Sequence, residues 1–266
     1  MTTVDWLPVI EEVLEAMRTH TLPLVTPLSK DRPDLNKVAL LGTGSYVMLG
    51  GYRIILTCEH VARHGKVNCG LHGDSEAFGY RGRWFMDPEP VDLALAAVND
   101  SMWLKNPHQA EAIPIERFAQ RHAICDPAEL LFFLGFAGEN SNYGFGVFSP
   151  TGSAHLSQEK TRTGDESFFE MYWQPKDTQY SADTTDEERR LAKSEDARGF
   201  SGSLVWNTRY LEVTQAGGVW TPADAVVTGM VQRWDIASQT LLVYRVEHIR
   251  KWLQEDPAPA SLADLT

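Results

Sequence analysis

A serine flanked by glycines is the first candidate for chemistry in this chain. Residues 199–203 read Gly-Phe-Ser-Gly-Ser and run into the apolar residues 204–206, so Ser201 is predicted to lie in a turn before a strand. A serine hydroxyl is a weak nucleophile that needs a neighbouring base, and an imidazole with a pKa near neutrality suits that task. His60 follows a strand-like apolar run, and Asp92 lies within another one. The chain therefore holds a nucleophile, a base and a carboxylate that could orient the base.

These residues occur in the order His, Asp, Ser, which is the chymotrypsin order and differs from that of subtilisin and of the α/β-hydrolases. The segments TCEHV at 57–61, DLAL at 92–95 and GFSGS at 199–203 resemble the trypsin-like serine peptidases of the chymotrypsin fold, in particular intracellular bacterial members. The resemblance spans about residues 38–254. Three further segments extend the resemblance. Residues 42–45 begin the strand pair before the histidine, 227–231 resemble a strand beside the specificity pocket, and 243–253 resemble the closing helix.

The fold that this resemblance implies is all-β, with two six-stranded antiparallel β-barrels, an N-terminal amphipathic helix and a C-terminal helix. The first helix also follows from the sequence pattern, because apolar residues recur at helical spacing over 7–17 with acidic residues between them. We predict four segments: an N-terminal helical extension (1–37), a first barrel with His60 and Asp92 (38–110), a second barrel with the serine turn and the closing helix (111–254), and a frayed tail (255–266).

The resemblance assigns a role to each site residue. Ser201 is the nucleophile, His60 is the general base and then the general acid, and Asp92 holds the imidazole in the required tautomer. The backbone N–H groups of Gly199 and Ser201 form the oxyanion hole, where each donor lowers the barrier by about 3 kcal/mol. Glycine suits position 199 because it adopts unusual dihedral angles and leaves room for close approach.

Phe200 is a departure from the zymogen-activated members of the family. Those members carry an aspartate directly before the serine, and it pairs with a newly cut N-terminus. Because Phe200 cannot form that ion pair, we expect no activation by N-terminal insertion. The oxyanion turn must instead be set by local packing or by a partner, so constitutive and partner-gated activity both stay open.

The specificity residues are less clearly marked. Glu195 lies six residues before the serine, where basic-specific relatives carry an acid, so a substrate Lys or Arg is one interpretation. The other is that Glu195 and Asp196 merely end a charged segment. In the predicted pocket strand, Gln232, Arg233 and Trp234 are candidate substrate-binding residues, and the bulk of Trp234 would narrow the pocket.

A charged, irregular region precedes the serine turn. Residues 183–193 read as a short helix or a mobile loop within the segment 161–198. Loops at this place flank the substrate cleft in the resembled family, so this one could gate access. A solvated surface excursion is the alternative.

Composition excludes several other classes of function. The net charge of −12 argues against a nucleic-acid partner, because such partners select surfaces rich in Lys and Arg. The sequence shows no signal-peptide pattern and no apolar run of about 18 residues or more, which predicts a cytoplasmic protein with no membrane contact.

The cysteines also fit a cytoplasmic location, where thiols stay reduced, because the chain has an odd number of them and no paired framework: Cys58, Cys69 and Cys125. A disulfide between Cys58 and Cys69 is the alternative. Cys58, His60, His64 and Cys69 could suggest zinc, but their spacing matches no zinc motif. We therefore expect neither a metal nor a cofactor.

Taken together, these features predict a trypsin-like serine endopeptidase that cleaves a protein or peptide through an acyl-enzyme. One alternative is a peptidase-fold binding or regulatory module with a closed or repurposed cleft, and another is an esterase that uses the same triad. A protein partner that activates or recruits the domain is also possible, as in the intracellular trypsin-like domains of bacterial stress or defence systems that the chain resembles.

Overall fold

A computed structural model of the chain describes residues 6–32, 37–74, 76–144, 147–160, 166–173, 197 and 199–255. Two curled antiparallel sheets follow one another along the sequence. The first holds strands β1 (Val25–Arg32), β2 (Lys37–Leu49), β3 (Tyr52–Thr57), β4 (Val67–Gly70), β5 (Ala77–Tyr80), β6 (Trp84–Asp87), β7 (Leu93–Ala97) and β8 (Ile113–Pro114). Their order is β5-β4-β1-β2-β3-β7-β6, and the short β8 pairs in parallel with β2.

The second sheet carries the serine turn between two of its strands. It holds β9 (Leu131–Gly144), β10 (Val147–Ser157), β11 (Glu159–Lys160), β12 (Phe168–Tyr172), β13 (Leu204–Asn207), β14 (Val226–Asp235) and β15 (Thr240–Arg245). The order is β10-β9-β13-β14-β15-β12-β11. Apolar side chains point inward from both sheets, and the largest buried ones include Tyr46, Phe132 and Phe133.

Five α-helices and three short 3-10 turns connect and close the sheets within the described residues. The helices are α1 (Leu7–Thr21), α2 (Glu59–Ala62), α3 (Asp100–Trp103), α4 (Tyr210–Gln215) and α5 (Val246–Glu255), and the 3-10 turns are Leu22–Leu24, Ile115–Arg117 and Pro222–Asp224. The predicted N-terminal helix is confirmed, and it contacts β9 and β10 with Val13 and Met17 fully buried. No helix in the described ranges is long and apolar enough to cross a bilayer.

The structure differs from the prediction at the boundaries. The first sheet begins at Val25 rather than at residue 38, because β1 pairs along its whole length with β2. Pro27, a bulge after Leu28 and the charged end of the strand hide the period-two pattern there. In the described residues the sheets have eight and seven strands, not six each, since short strands such as β8 and β11 join them.

One smaller expectation also changes, and one alternative is ruled out. The segment predicted as a closing helix begins within β15, and the helix itself starts at Val246. Cys58 and Cys69 are both buried free thiols, so the structure has no bridge between them.

Candidate active site

His60 lies just after the end of a central strand of the first sheet. β3 ends at Thr57, Cys58 has an extended backbone, and the chain then turns into the short helix α2 with His60 in its only turn. Asp92 directly precedes β7, the antiparallel neighbour of β3, and Thr57 pairs with Ala94. The register of two adjacent strands therefore brings the imidazole and the carboxylate together.

The carboxylate of Asp92 makes two hydrogen bonds to His60. The main-chain N–H of His60 donates to Oδ1 at 3.0 Å, and the ring Nδ1 lies 2.8 Å from Oδ2. Because a carboxylate only accepts, Nδ1 carries the ring hydrogen in this arrangement and Nε2 is the atom that can take up a proton. The Asp92 side chain is 6% exposed and that of His60 is 34% exposed, so the acid is sheltered while the imidazole reaches solvent.

The loop before β7 holds Asp92 in a left-handed backbone conformation with φ of 51°. A non-glycine residue rarely adopts this region, and it persists where the surroundings stabilise it. Here the side-chain amide of Gln232 donates to the carbonyl of Val91 at 2.6 Å and, more weakly, to that of Asp92 at 3.4 Å. A side chain from the second sheet thus fixes the loop that presents the carboxylate.

Ser201 sits in a turn between two glycines with positive φ, 103° at Gly199 and 89° at Gly202. Gly202 has no space for a side chain, because a Cβ there would overlap the carbonyl oxygen of Thr43. The turn is tied to the second sheet, since the N–H of Gly202 donates to Val231 at 2.8 Å. These contacts explain why glycine is needed at this point of the turn.

The serine turn adjoins the helix that carries His60. Gly42 of β2 lies between them: a Cβ at this position would be 2.6 Å from the side chain of Val61 and 2.8 Å from the carbonyl oxygen of Ser201. The Ser201 hydroxyl, however, donates to the main-chain carbonyl of Gln232 at 2.9 Å. No hydrogen bond between Ser201 and His60 occurs among the described residues, so in this structure the hydroxyl hydrogen is directed to Gln232 and not to the imidazole.

The predicted oxyanion donors both lie in this turn. Within the described part of the chain, the N–H groups of Gly199 and Ser201 have no acceptor, whereas the neighbouring N–H of Phe200 donates to Ala197 at 3.2 Å. Among the described residues, these two N–H groups on alternate positions around the serine have no intramolecular acceptor, as the predicted oxyanion hole requires.

An aromatic cluster surrounds Phe200, which is 2% exposed. Its ring centroid lies 5.3 Å from Phe133, 5.2 Å from His155 and 5.3 Å from Trp173, each in an edge-on arrangement. Burial lowers the pKa of His155 to about 4, so this imidazole is neutral near neutral pH. The side chain before the serine is therefore held by apolar packing within the chain, and setting of the turn by a partner stays a prediction.

The remaining predicted site residues have different surroundings. Glu195 lies outside the described residues, together with Asp196 and most of the segment 161–198. The Gln232 side chain is buried and engaged with the loop before β7, so only its main chain borders the serine. Arg233 is exposed, and Trp234 is partly buried against the cluster that contains Phe200.

Cys58 lies close to the proposed acid and base. One possible ligand atom from each of Cys58, His60 and Asp92 lies within 4.8 Å of the others, the one such group among the described residues. Burial raises the pKa of the Cys58 thiol well above its ordinary value, and its sulfur lies 3.5 Å from the carbonyl of Val231. The raised pKa keeps this thiol protonated near neutral pH, and Nδ1 of His60 is bonded to Asp92.

Solved structures of proteases match this architecture. The Rv3671c protease of M. tuberculosis in its active form gives a TM-score of 0.54 at 17% identity, over 91% of this chain and 85% of that one. The chain has the chymotrypsin fold. The MamO protease domain of Magnetospirillum magneticum gives a TM-score of 0.49 at 12% identity, over 89% of this chain and 100% of that one. Mouse neuropsin gives a TM-score of 0.49 at 11% identity, over 88% of this chain and 94% of that one. No family model and no curated protein matches the sequence. At 17% identity the likeness to the Rv3671c protease shows the fold, as the sequence resemblance predicted, and the intracellular bacterial type stays a prediction.

Sequence reasoning missed Thr43 as a site residue. In the sequence, Thr43 is one residue of the segment 42–45 (Gly-Thr-Gly-Ser) before the histidine, whereas in the structure its hydroxyl and its N–H both contact the serine turn. Gly42 and Gly44, on either side of Thr43, are the one local sequence signal that another segment of backbone packs closely against this strand.

Proposed function

We propose that this chain is a serine endopeptidase that hydrolyses a protein or peptide through an acyl-enzyme. The observation that carries the proposal is the pair of hydrogen bonds from His60 to Asp92, adjacent to a serine held in a glycine turn. A structural histidine does not need a sheltered carboxylate on one nitrogen and an open second nitrogen, whereas a general base does.

In this mechanism Ser201 first turns its hydroxyl from Gln232 to Nε2 of His60. The Oγ then bonds to the substrate carbonyl carbon while Nε2 takes the proton, and Asp92 stabilises the imidazolium that forms. The N–H groups of Gly199 and Ser201 bind the oxygen that becomes negative, which each stabilises by about 3 kcal/mol. His60 gives its proton to the leaving amine, and a water molecule attacks the acyl-enzyme by the reverse route.

A second candidate is a binding or regulatory module with a cleft that does not turn over substrate. The orientation of Ser201 favours it, since the hydroxyl is bonded to the carbonyl of Gln232 and not to His60. In such a module the hydroxyl would keep this bond, and the cleft would recognise a partner protein. The cytoplasmic location and the activating or recruiting partner stay predictions.

A fluorophosphonate probe tests the proposal, because it reacts only with a serine whose base is in place. We expect labelling of the wild-type protein and none of Ser201→Ala. Ser203 follows in the same turn and is fully buried, so Ser203→Ala is the matched control and should still be labelled. Absence of wild-type labelling in a folded protein would contradict the peptidase proposal and favour the binding module.

Peptide and ester substrates then separate the two hydrolases. A protein substrate panel with mass-spectrometric detection should give new termini with the wild-type protein and none with Ser201→Ala. Turnover of simple esters without cleavage of any peptide would assign an esterase instead, since both reactions use the same acyl chemistry.

A further inference from the structure

We infer that Thr43 is a positioning residue that orients the oxyanion turn from the first sheet. The inference deepens the proposed peptidase function and rests on it. The Thr43 hydroxyl donates to the carbonyl of Gly199 at 2.8 Å, across 156 positions of sequence. Thr43 is fully buried in β2, so no solvent competes for this bond.

The direction of the hydroxyl is determined by a second bond. The N–H of Phe136 in β9 donates to the Thr43 oxygen at 3.0 Å. A hydroxyl has one hydrogen, and with its oxygen already accepting from Phe136 that hydrogen points to Gly199. Three chain segments therefore meet at one side chain: β2, β9 and the serine turn.

The main chain of Thr43 holds the same turn one residue further along. Its N–H donates to the carbonyl of Ser201 at 2.9 Å. Thr43 thus binds the carbonyls of Gly199 and Ser201, the two residues whose N–H groups are the proposed oxyanion donors. Each carbonyl shares a planar peptide group with the next N–H, so these two bonds fix the peptide groups 199–200 and 201–202. They flank the peptide group that carries the Ser201 N–H on both sides, and the one that carries the Gly199 N–H on one side, and so limit the directions in which both donors can point.

The contact with Thr43 would hold the serine turn in place of the ion pair that the zymogen-activated members form at the residue before the serine. Phe200 carries no charge to anchor the turn, and Gly199 has a φ of 103°, which leaves its backbone free to reorient unless neighbours hold it. Close approach of the three segments depends on glycines: a Cβ at Gly135 would lie 3.2 Å from the Thr43 oxygen. One at Gly202 would overlap the Thr43 carbonyl.

The variant Thr43→Val tests the inference, because it keeps the shape and removes the hydroxyl. We expect kcat to fall about 10- to 100-fold with KM nearly unchanged, since the oxyanion hole acts on the transition state. Thr43→Ser retains the hydroxyl and should recover most of the rate. A peptide aldehyde that forms a tetrahedral adduct with Ser201 should lose affinity in parallel with kcat, while the matching peptide alcohol should not.

A buried threonine elsewhere supplies the matched control. The hydroxyl of Thr21 donates to the carbonyl of Met17 at 2.8 Å within α1. Thr21→Val should lower the denaturant midpoint to a similar extent and leave kcat unchanged. If both variants change kcat equally, or if Thr43→Val lowers stability without lowering kcat relative to Thr21→Val, the positioning role of Thr43 is wrong.

A measurement on the resting protein separates this inference from the proposed function. In an amide NMR spectrum, Thr43→Val should shift the Gly199 and Ser201 N–H signals and speed their hydrogen exchange, while Thr21→Val should leave both unchanged. If the wild-type protein is inactive but these signals respond, the peptidase proposal fails and the positioning contact stands. If the signals do not respond, Thr43 does not orient the turn, whatever the activity.

Discussion

The two halves of the proposed site are positioned in different ways. His60 and Asp92 both belong to the first sheet, and two hydrogen bonds join them directly. The hydroxyl of Ser201 is instead bonded to Gln232 of its own sheet, and its turn depends on contacts from the other sheet. The hydrogen bonds within the acid–base half thus come from adjacent strands of one sheet, with Gln232 of the second sheet holding only the loop before Asp92. The serine turn is instead held by contacts from the opposite sheet.

This comparison predicts that changes in the first half act on chemistry alone, while changes between the halves act on chemistry and stability together. Asp92→Asn should have the largest effect. The amide oxygen can still accept from the His60 N–H, which now lies 3.0 Å from Oδ1, so the loop should keep its structure. The amide nitrogen would donate to Nδ1 and so place the ring hydrogen on Nε2, the wrong tautomer, and kcat should fall about 10⁴-fold.

Steady-state kinetics and a denaturant titration check this first prediction. Asp100→Asn is the control, because Asp100 pairs with Arg53 at 3.3 Å on the surface and its side chain is 82% exposed. That variant should stay near wild type in both measurements. A decrease in kcat of less than about tenfold for Asp92→Asn would contradict the assigned role of the carboxylate.

Gln232→Leu should have an intermediate effect on both rate and stability. The change removes the amide that donates to Val91 at 2.6 Å, and with it the link that holds the left-handed Asp92. An unpaired carbonyl of this kind costs about 1–3 kcal/mol of unfolding free energy. We expect that loss together with a decrease of about tenfold in kcat, since the carboxylate would be less well placed.

Gln158 offers the matched control for this prediction. Its amide also donates to a main-chain carbonyl, that of Ala128 at 3.1 Å, but on the surface. Gln158→Leu should change the unfolding free energy by no more than about 0.5 kcal/mol and leave kcat unchanged. If Gln232→Leu behaves in the same way, the two halves are not coupled through this side chain.

The same division explains what the sequence could predict. The strand ends with His60 and Asp92, the glycines around Ser201 and the α1 helix are local patterns, so each was visible in a short window of sequence. The contacts of Thr43 with Gly199 and of Gln232 with Val91 join residues 156 and 141 positions apart, so no short window of sequence contains both partners. The sequence therefore predicts the fold and offers the candidate groups, but it does not reveal the contacts that join the two sheets around them.

The smallest expected effect concerns the aromatic cluster beneath the serine turn. Burial lowers the pKa of His155 to about 4 from an ordinary value of 6.5, so the folded protein resists protonation there. As pH falls from 6.5 to 4 the unfolded chain binds a proton that the folded one does not, and the free energy of unfolding falls over that range. Above pH 6.5 this contribution to the pH dependence is absent.

His155→Phe should therefore flatten the decline in stability between pH 6.5 and 4, measured as the midpoint of urea unfolding at several pH values. The ring contacts to Phe133 and Phe200 would be retained by the new aromatic side chain. His20, whose pKa burial also lowers, is present in both proteins, so the difference between them isolates His155. If stability depends on pH in the same way in the variant and the wild-type protein, His155 takes up a proton equally well in the folded and the unfolded chain. The apolar packing around Phe200 would then not exclude charge from the nucleophile half of the site.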